Sequence, residues 1–279
     1  MRALEVGRQI SQIMAGHRVV DLTLPLAEHL PCTWPGHMPF RATAWTFFAD
    51  EPDGPQPARG RSGSGSQTRW LVIDEHAGTH IDAPMHVVPP PDSGMPGAGP
   101  AGEVGVDKLP LLAASGPADV VDVTGLSGTA GNGVSPLVTV PTLIAWEAAY
   151  GPILPGDAVL LRTGWDSHYL SGAARRRYVD DPLVTGSGPA WPAPSPDAVS
   201  WLHDRGVRCV GTDGPSIGPA GDGGPTHRAG LTRGMVFVEA LAGLAEVPPR
   251  GAWFLFLPLK LVDGTGAPGR ALAVLPGRP

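Results

Sequence analysis

The stretch HAGTHIDAPMH, His76 to His86, places three of the chain's nine histidines and one aspartate within eleven residues. His76, His80, Asp82 and His86 all occupy even positions. In an extended chain such residues project from one side of the backbone. A helix would not keep the set together: Pro84 would break it, and Asp82, two residues beyond His80, would fall roughly on the opposite side. Gly78 permits the bend that brings two imidazoles to one point. Two neutral imidazoles and a carboxylate are a common ligand set for Zn²⁺, Mn²⁺ or Fe²⁺. A polar loop with scattered histidines is the usual reading of a single histidine, but it accounts poorly for four such groups in phase.

Short β-rich runs surround this motif: Arg18–Leu24, Trp70–Glu75, Asp119–Thr124, Ala158–Thr163, Val207–Gly211, Met235–Glu239 and Ala252–Val262. Several are continuously apolar, as strands covered on both faces are. Two helices are well signed. Thr142–Tyr150 follows Pro141. Ser195–Gly206 begins with a capping serine, has Pro196 in its first turn and closes on a glycine suited to the left-handed conformation. Residues 1–16 fit a short amphipathic helix. The expected fold is α/β, a β-rich single domain over residues 1–279 with few short helices.

A second group of candidate ligands lies downstream. His227 sits in GGPTHRAGL, read as a loop, and Glu239 ends the strand MVFVE. Each is unremarkable alone and gains meaning from the first cluster. Two other matches fail on context. GPSIG (214–218) fits a nucleophile elbow, but the PAGDGGP after it cannot be the helix an elbow opens. GTGAPG (264–269) fits a dinucleotide fingerprint, but no βαβ unit has room to follow it.

Gly and Pro number 39 and 33 in 279 residues, about a quarter of the chain, near the range of disordered sequences. The 42% apolar and only 16% charged content, with eight tryptophans, point instead to a real core. The Gly/Pro-dense segments 51–67 and 88–102 are therefore expected to be long, irregular loops, with a pocket beneath at least one of them. The net charge of −6 argues against nucleic acid or an anionic membrane as partner. No apolar run approaches the ~18 residues of a spanning helix, and the N-terminus lacks a signal-peptide core. Cys32 and Cys209 form no CxxC motif. The expected location is a reducing cytoplasm.

HAGTHIDAPMH resembles the H-x-G-T-H-x-D-x-P-x-H signature of the cyclase/metal-dependent hydrolase family, which includes kynurenine formamidase and isatin hydrolase. DLTLPL followed by TWPG, the twelve-residue interval from His227 to Glu239, and GTGAPGRA are similar to further family segments, so the resemblance runs from about residue 20 to 275. The insert PPPDSGMPGAGPAG looks like that of the longer, isatin-hydrolase-like members.

The resemblance implies a swivelling β/β/α-like cyclase fold and a homodimer or higher homo-oligomer. It also implies one or two divalent ions, Zn or Mn, held by His76, His80, Asp82, His227 and Glu239, with His86 as acid/base. The implied reaction is hydrolysis of an amide, formamide or lactam C–N bond in a small aromatic or cyclic substrate, with Trp34 and His37 as pocket contacts. Dehydrating ring closure and a non-catalytic, metal-stabilised protein stand as alternatives. One position departs from the family pattern: Gly218 stands where members often carry an Asp, two residues after the Ser of DGPSIGP.

Overall fold

The structure is a computed structural model that describes residues 2–48 and 66–277. In chain order it comprises α1 (Arg2–Gly16), β1 (Val19–Asp21), β2 (Arg41–Thr46), β3 (Thr68–Val72), β4 (His80–Asp82), β5 (Ser115–Asp122), β6 (Leu137–Val138), α2 (Val140–Tyr150), β7 (Ala158–Arg162), β8 (Ala193–Pro194), α3 (Pro196–Asp204), β9 (Cys209–Thr212), α4 (Gly224–Leu231), β10 (Val236–Glu239), β11 (Ala252–Pro258) and β12 (Gly266–Val274), with short 3-10 turns between them.

The main sheet runs β1-β12-β11-β5-β7-β9-β10-β4, and β4 also pairs with β12, closing a barrel-like ring of seven strands. β12 is long enough to serve two partners in tandem: Gly266–Pro268 pair with β4, and Leu272–Val274 pair with β1. β5, β7, β9 and β10 are mutually parallel, whereas β4 runs antiparallel to both β10 and β12. The three-residue strand His80–Asp82 is therefore the one that closes the ring.

Side-chain alternation divides the apolar residues between two sides of the ring. Ile81, Val120, Leu160, Val236, Val238, Phe254 and Phe256 pack together on the inner side. Val121, Val159, Leu161, Val210 and Phe237 face outward and are covered by Leu143 and Trp146 of α2, Val199 and Leu202 of α3, and Leu231 of α4. This double covering explains why β7, β9 and β10 read as unbroken apolar runs. A third cluster, including Cys32, Phe40, Trp165, Tyr178 and Trp191, lies beneath the connecting loops.

The β-rich α/β expectation holds, with differences in detail. α2 starts two residues early because Thr139 caps it in a reciprocal capping box with Thr142. Ser195 caps α3 through the Ala198 amide at 3.1 Å, and Gly206 follows at φ +86°. β11 stops at Pro258 rather than running to Val262. β2 and β12 carry no clear strand signal, the latter because Gly266, Pro268 and Gly269 dilute its pattern.

The expected loop at 51–67 lies outside the described residues except for its last two. The 88–102 segment holds two short 3-10 turns, Pro91–Ser93 and Pro100–Glu103, and folds back on itself through the Gly99 amide and the Pro89 carbonyl. Among the described residues, no helix is long and apolar enough to cross a membrane.

Candidate metal centre

On β4, Ile81 points into the ring, so His80 and Asp82 point outward. Gly78 (φ +60°) turns the chain just before this strand. Its amide donates to the Cys32 carbonyl at 2.7 Å, and a Cβ there would lie 2.4 Å from Leu26 Cδ2. The turn folds His76 back until its Nδ1 lies 2.9 Å from Asp82 Oδ1. Thr79 is buried as an anchor: its hydroxyl donates to the Ala240 carbonyl and accepts from the Leu24 amide. Beyond Asp82 the chain enters the 3-10 turn Pro84–His86, which brings the His86 ring 4.2 Å from that of His76. The four groups thus converge as expected, but through a turn, a strand and a second turn. The single extended run inferred from their even spacing is replaced by His80–Asp82 alone, because Gly78 and Pro84 bend the chain on either side.

Glu239 is the register partner of His80 across the β10–β4 ladder. Its Oε2 lies 3.4 Å from His80 Nε2 and its Oε1 3.2 Å from His227 Nε2. His227 belongs to α4, not to a loop, and its Nε2 is also 3.5 Å from Asp82 Oδ2. Pro225 in the first turn lets this short helix start among glycines. The GPSIG stretch acts as a cradle for Glu239, whose Oε1 accepts from the Ile217 amide at 2.6 Å and the Ser216 hydroxyl at 3.3 Å. A Cβ at Gly218 would lie 2.5 Å from Gly223 Cα and 2.9 Å from His227 Cε1. The missing Cβ at Gly218 leaves room for the Gly223 turn and the His227 ring.

Hydrogen bonds fix how the imidazoles face. Carbonyls only accept, so His80 and His227 donate from Nδ1 to Gly78 O and Gly223 O, both at 2.8 Å, and turn Nε2 toward the cluster. His76 is held the other way round. The Thr265 hydroxyl donates to the Glu75 carboxylate and accepts from His76 Nε2 at 2.9 Å, which leaves Nδ1 facing Asp82. Outer partners of this kind orient metal-binding histidines and set their tautomer. Sequence reading missed Glu75 and Thr265; the adjacency of Glu75 to His76 was the available signal.

Asp82 is 1% exposed, and among the described residues neither of its oxygens has a hydrogen-bond partner of good geometry. Burial opposes its charge, yet His86, His227 and His76 hold its carboxyl well below the usual range. Burial likewise opposes a charged His80, but Glu239 and Asp82 outweigh it and raise its pKa to about 9. His227 is raised in the same way. Burial lowers His86, leaving it a neutral base at pH 7.

A buried carboxylate ringed by imidazole nitrogens and lacking ordinary donors fits a divalent cation. Two sets have their ligand atoms mutually within 4.8 Å: His76, His80 and Asp82; and Asp82, His86 and His227. Asp82 is common to both.

The cluster forms the floor of a cavity of about 330 Å³ walled by Cys32, Trp34, His37, Tyr178, Val179 and Leu183 among others. Trp34 packs edge-on to Trp191 at 6.1 Å between centroids, and His37 Nδ1 is 3.0 Å from Asp74 Oδ2. Of the two loops expected to cover the pocket, 88–102 contributes no wall residue, although Val87 just before it does, and 51–67 lies almost wholly outside the described residues. The 88–102 segment closes on its own carbonyls instead, through Ser93 to Pro90, Ala98 to Met95 and Gly99 to Pro89.

Comparison with known proteins agrees with this geometry. The sequence profile of the Cyclase family, described as "Putative cyclase", matches residues 20–219. The chain is 34% identical over 213 residues, 74% of each protein, to an isatin hydrolase of Roseibium aggregatum. It is 32% identical to a kynurenine formamidase of Salinibacter ruber, covering 86% of this chain and 89% of that one. The fold is similar to that of an isatin hydrolase crystallised with the product analogue thioisatinate, with a TM-score of 0.77 at 25% identity, covering 99% and 98% of the two chains.

Proposed function

Since this chain belongs to the Cyclase family, we propose that it is a metal-dependent hydrolase that opens the C–N bond of a small aryl amide, formamide or lactam. The observation that carries this reading is the convergence of His76, His80, His227 and Glu239, which line one cavity, around the buried Asp82, with His86 beside them. The isatin hydrolase and kynurenine formamidase relatives support the substrate class.

The five residues would hold one or two divalent ions, zinc or manganese. When bound, such an ion polarises a carbonyl and acidifies water. Hydrolysis adds a water oxygen to the carbonyl carbon and a proton to the departing nitrogen. His86 is neutral and open to the cavity, so one of its imidazole nitrogens takes the water's proton and returns it to that nitrogen. Trp34 supplies an apolar face for a planar ring. His37, steadied by Asp74, offers a polar contact beside it.

The whole chain acts as one domain. The exposed apolar stripe of α1, formed by Val6, Ile10, Ile13 and Met14, supports assembly into a homodimer or higher homo-oligomer. Two free cysteines suit a reducing cytoplasm.

The test is hydrolysis of isatin and N-formylkynurenine before and after chelation. Turnover of at least one, lost with chelator and restored by Mn²⁺ or Zn²⁺, is expected. A metal-loaded protein that hydrolyses neither, nor simple esters, overturns the reading in favour of ring closure.

A further inference from the structure

Tyr178 follows the 3-10 turn Gly172–Arg177 and lines the same cavity as the His/Asp cluster. It is 3% exposed, and among the described residues its hydroxyl has no hydrogen-bond partner. The neighbouring phenol behaves differently: Tyr169 stacks edge-on to Tyr178 at 5.2 Å, yet its hydroxyl donates to the Pro25 carbonyl at 2.7 Å. Two adjacent tyrosines thus share one apolar setting, and only the one on the cavity wall lacks a partner.

The backbone around Tyr178 is firmly held, since Trp165 Nε1 donates to its carbonyl at 2.8 Å. The side chain is buried, so the hydroxyl is shielded from bulk water. Burial keeps the phenol protonated, and Tyr169, Asp213, Asp166 and Glu239 act in the same direction. A permanently protonated hydroxyl without a protein acceptor is a donor awaiting an acceptor oxygen.

We propose that Tyr178 is a specificity-determining residue, whose hydroxyl donates a hydrogen bond to a carbonyl or carboxylate oxygen of the aryl ligand lying between Trp34 and the cluster. The substrate class assumed here rests on the function proposed above. A site built to donate to a ligand oxygen discriminates strongly against analogues lacking it, because the buried donor is then left unpaired. The cavity is otherwise walled largely by apolar groups near Tyr178, namely Trp34, Val179 and Leu183. A single fixed donor there sets the orientation of a flat ring about its own plane, which apolar walls cannot do.

Tyr178→Phe tests this, because it removes one oxygen and keeps the ring. Isatin serves as probe, its binding to chelator-treated protein followed by quenching of tryptophan fluorescence. Loss of a buried hydrogen bond predicts affinity weaker by about ten-fold. In metal-loaded enzyme, KM should rise by a similar factor while kcat changes less than about two-fold. Metal content should not change, and the Tm of the ligand-free variant should be equal or higher, because an unpaired buried hydroxyl has gone. A lowered Tm would mean that the hydroxyl has a protein partner and overturns the proposal. So does equal isatin affinity in the two proteins, or no isatin binding to wild type. If neither protein turns isatin over but affinity still drops in the variant, the hydrolase reading fails and the Tyr178 contact stands.

Discussion

Glu239 and His80 face each other as register partners across the β10–β4 ladder, with Oε2 3.4 Å from Nε2. The pairing that closes the barrel therefore also assembles the candidate centre, and a change in the carboxylate should register in metal content before it registers in fold. Glu239→Gln keeps the shape and the Ser216 and Ile217 donors nearby but removes the charge. We expect metal affinity to fall on the order of 10–100-fold, read by equilibrium competition with a chromogenic chelator, while the far-ultraviolet circular dichroism stays unchanged. Full metal retention would remove Glu239 from the ligand set.

Thr265 provides a test of how His76 is oriented. Its hydroxyl accepts from His76 Nε2 and donates to Glu75. Thr265→Val keeps the volume and deletes both bonds, so His76 loses the partner that keeps Nδ1 turned inward. Metal affinity should drop about 10-fold or more, and Thr265→Ser should recover most of it. Equal losses in the two variants would indicate a packing role for the threonine methyl instead.

The two possible roles of His86 separate by variant. As acid/base, His86→Ala should keep its metal and lose kcat by ~10²–10⁴-fold. The structure also brings His86 within ligand distance of Asp82 and His227. Loss of one equivalent of metal in His86→Ala, measured by elemental analysis, would therefore make it a ligand.

How much of this was legible in the sequence depended on range. HAGTHIDAPMH carried its own geometry, because Gly78, Thr79 and Pro84 set the local turns within a few residues of the groups they aim. The apolar strands were legible for the same reason, since burial on both faces writes itself into each residue. His227 was misread as a loop residue because a helix of eight residues among glycines has almost no periodic signal. β12 escaped notice because its identity as the strand serving β4 and β1 depends on partners more than a hundred residues away. Thr265 and Tyr178 were invisible in principle: their roles arise from contacts across the fold, such as the 189-residue separation of Thr265 from His76.

Gly218 tests how tightly the cluster is packed. Gly218→Asp drives a Cβ toward Gly223 Cα and the His227 ring. Overpacking of this kind costs about 1–3 kcal/mol, and His227 is the group free to yield. The variant should show a lower Tm and reduced metal occupancy together. An unchanged occupancy would mean that the Gly223 turn moves instead and leaves His227 in place.

A pH effect on stability should arise away from the centre. Asp119 is buried beside Asp157 and paired to Arg250 at 2.9 Å. Burial, with the Asp157 charge, pushes its carboxyl up to about 7 against the pull of Arg250. The folded state thus holds a proton that the unfolded chain, with a carboxyl near 3.8, releases earlier. A raised folded-state value contributes stability that is full below about 4 and is lost as pH rises through about 7. Asp119→Asn mimics the protonated form at every pH. The Tm difference between Asp119→Asn and wild type should therefore shift in favour of the variant from pH 5 to pH 8, with all other titrations cancelling. A difference that stays flat, or moves toward wild type, would show that Arg250 holds Asp119 ionised across this range.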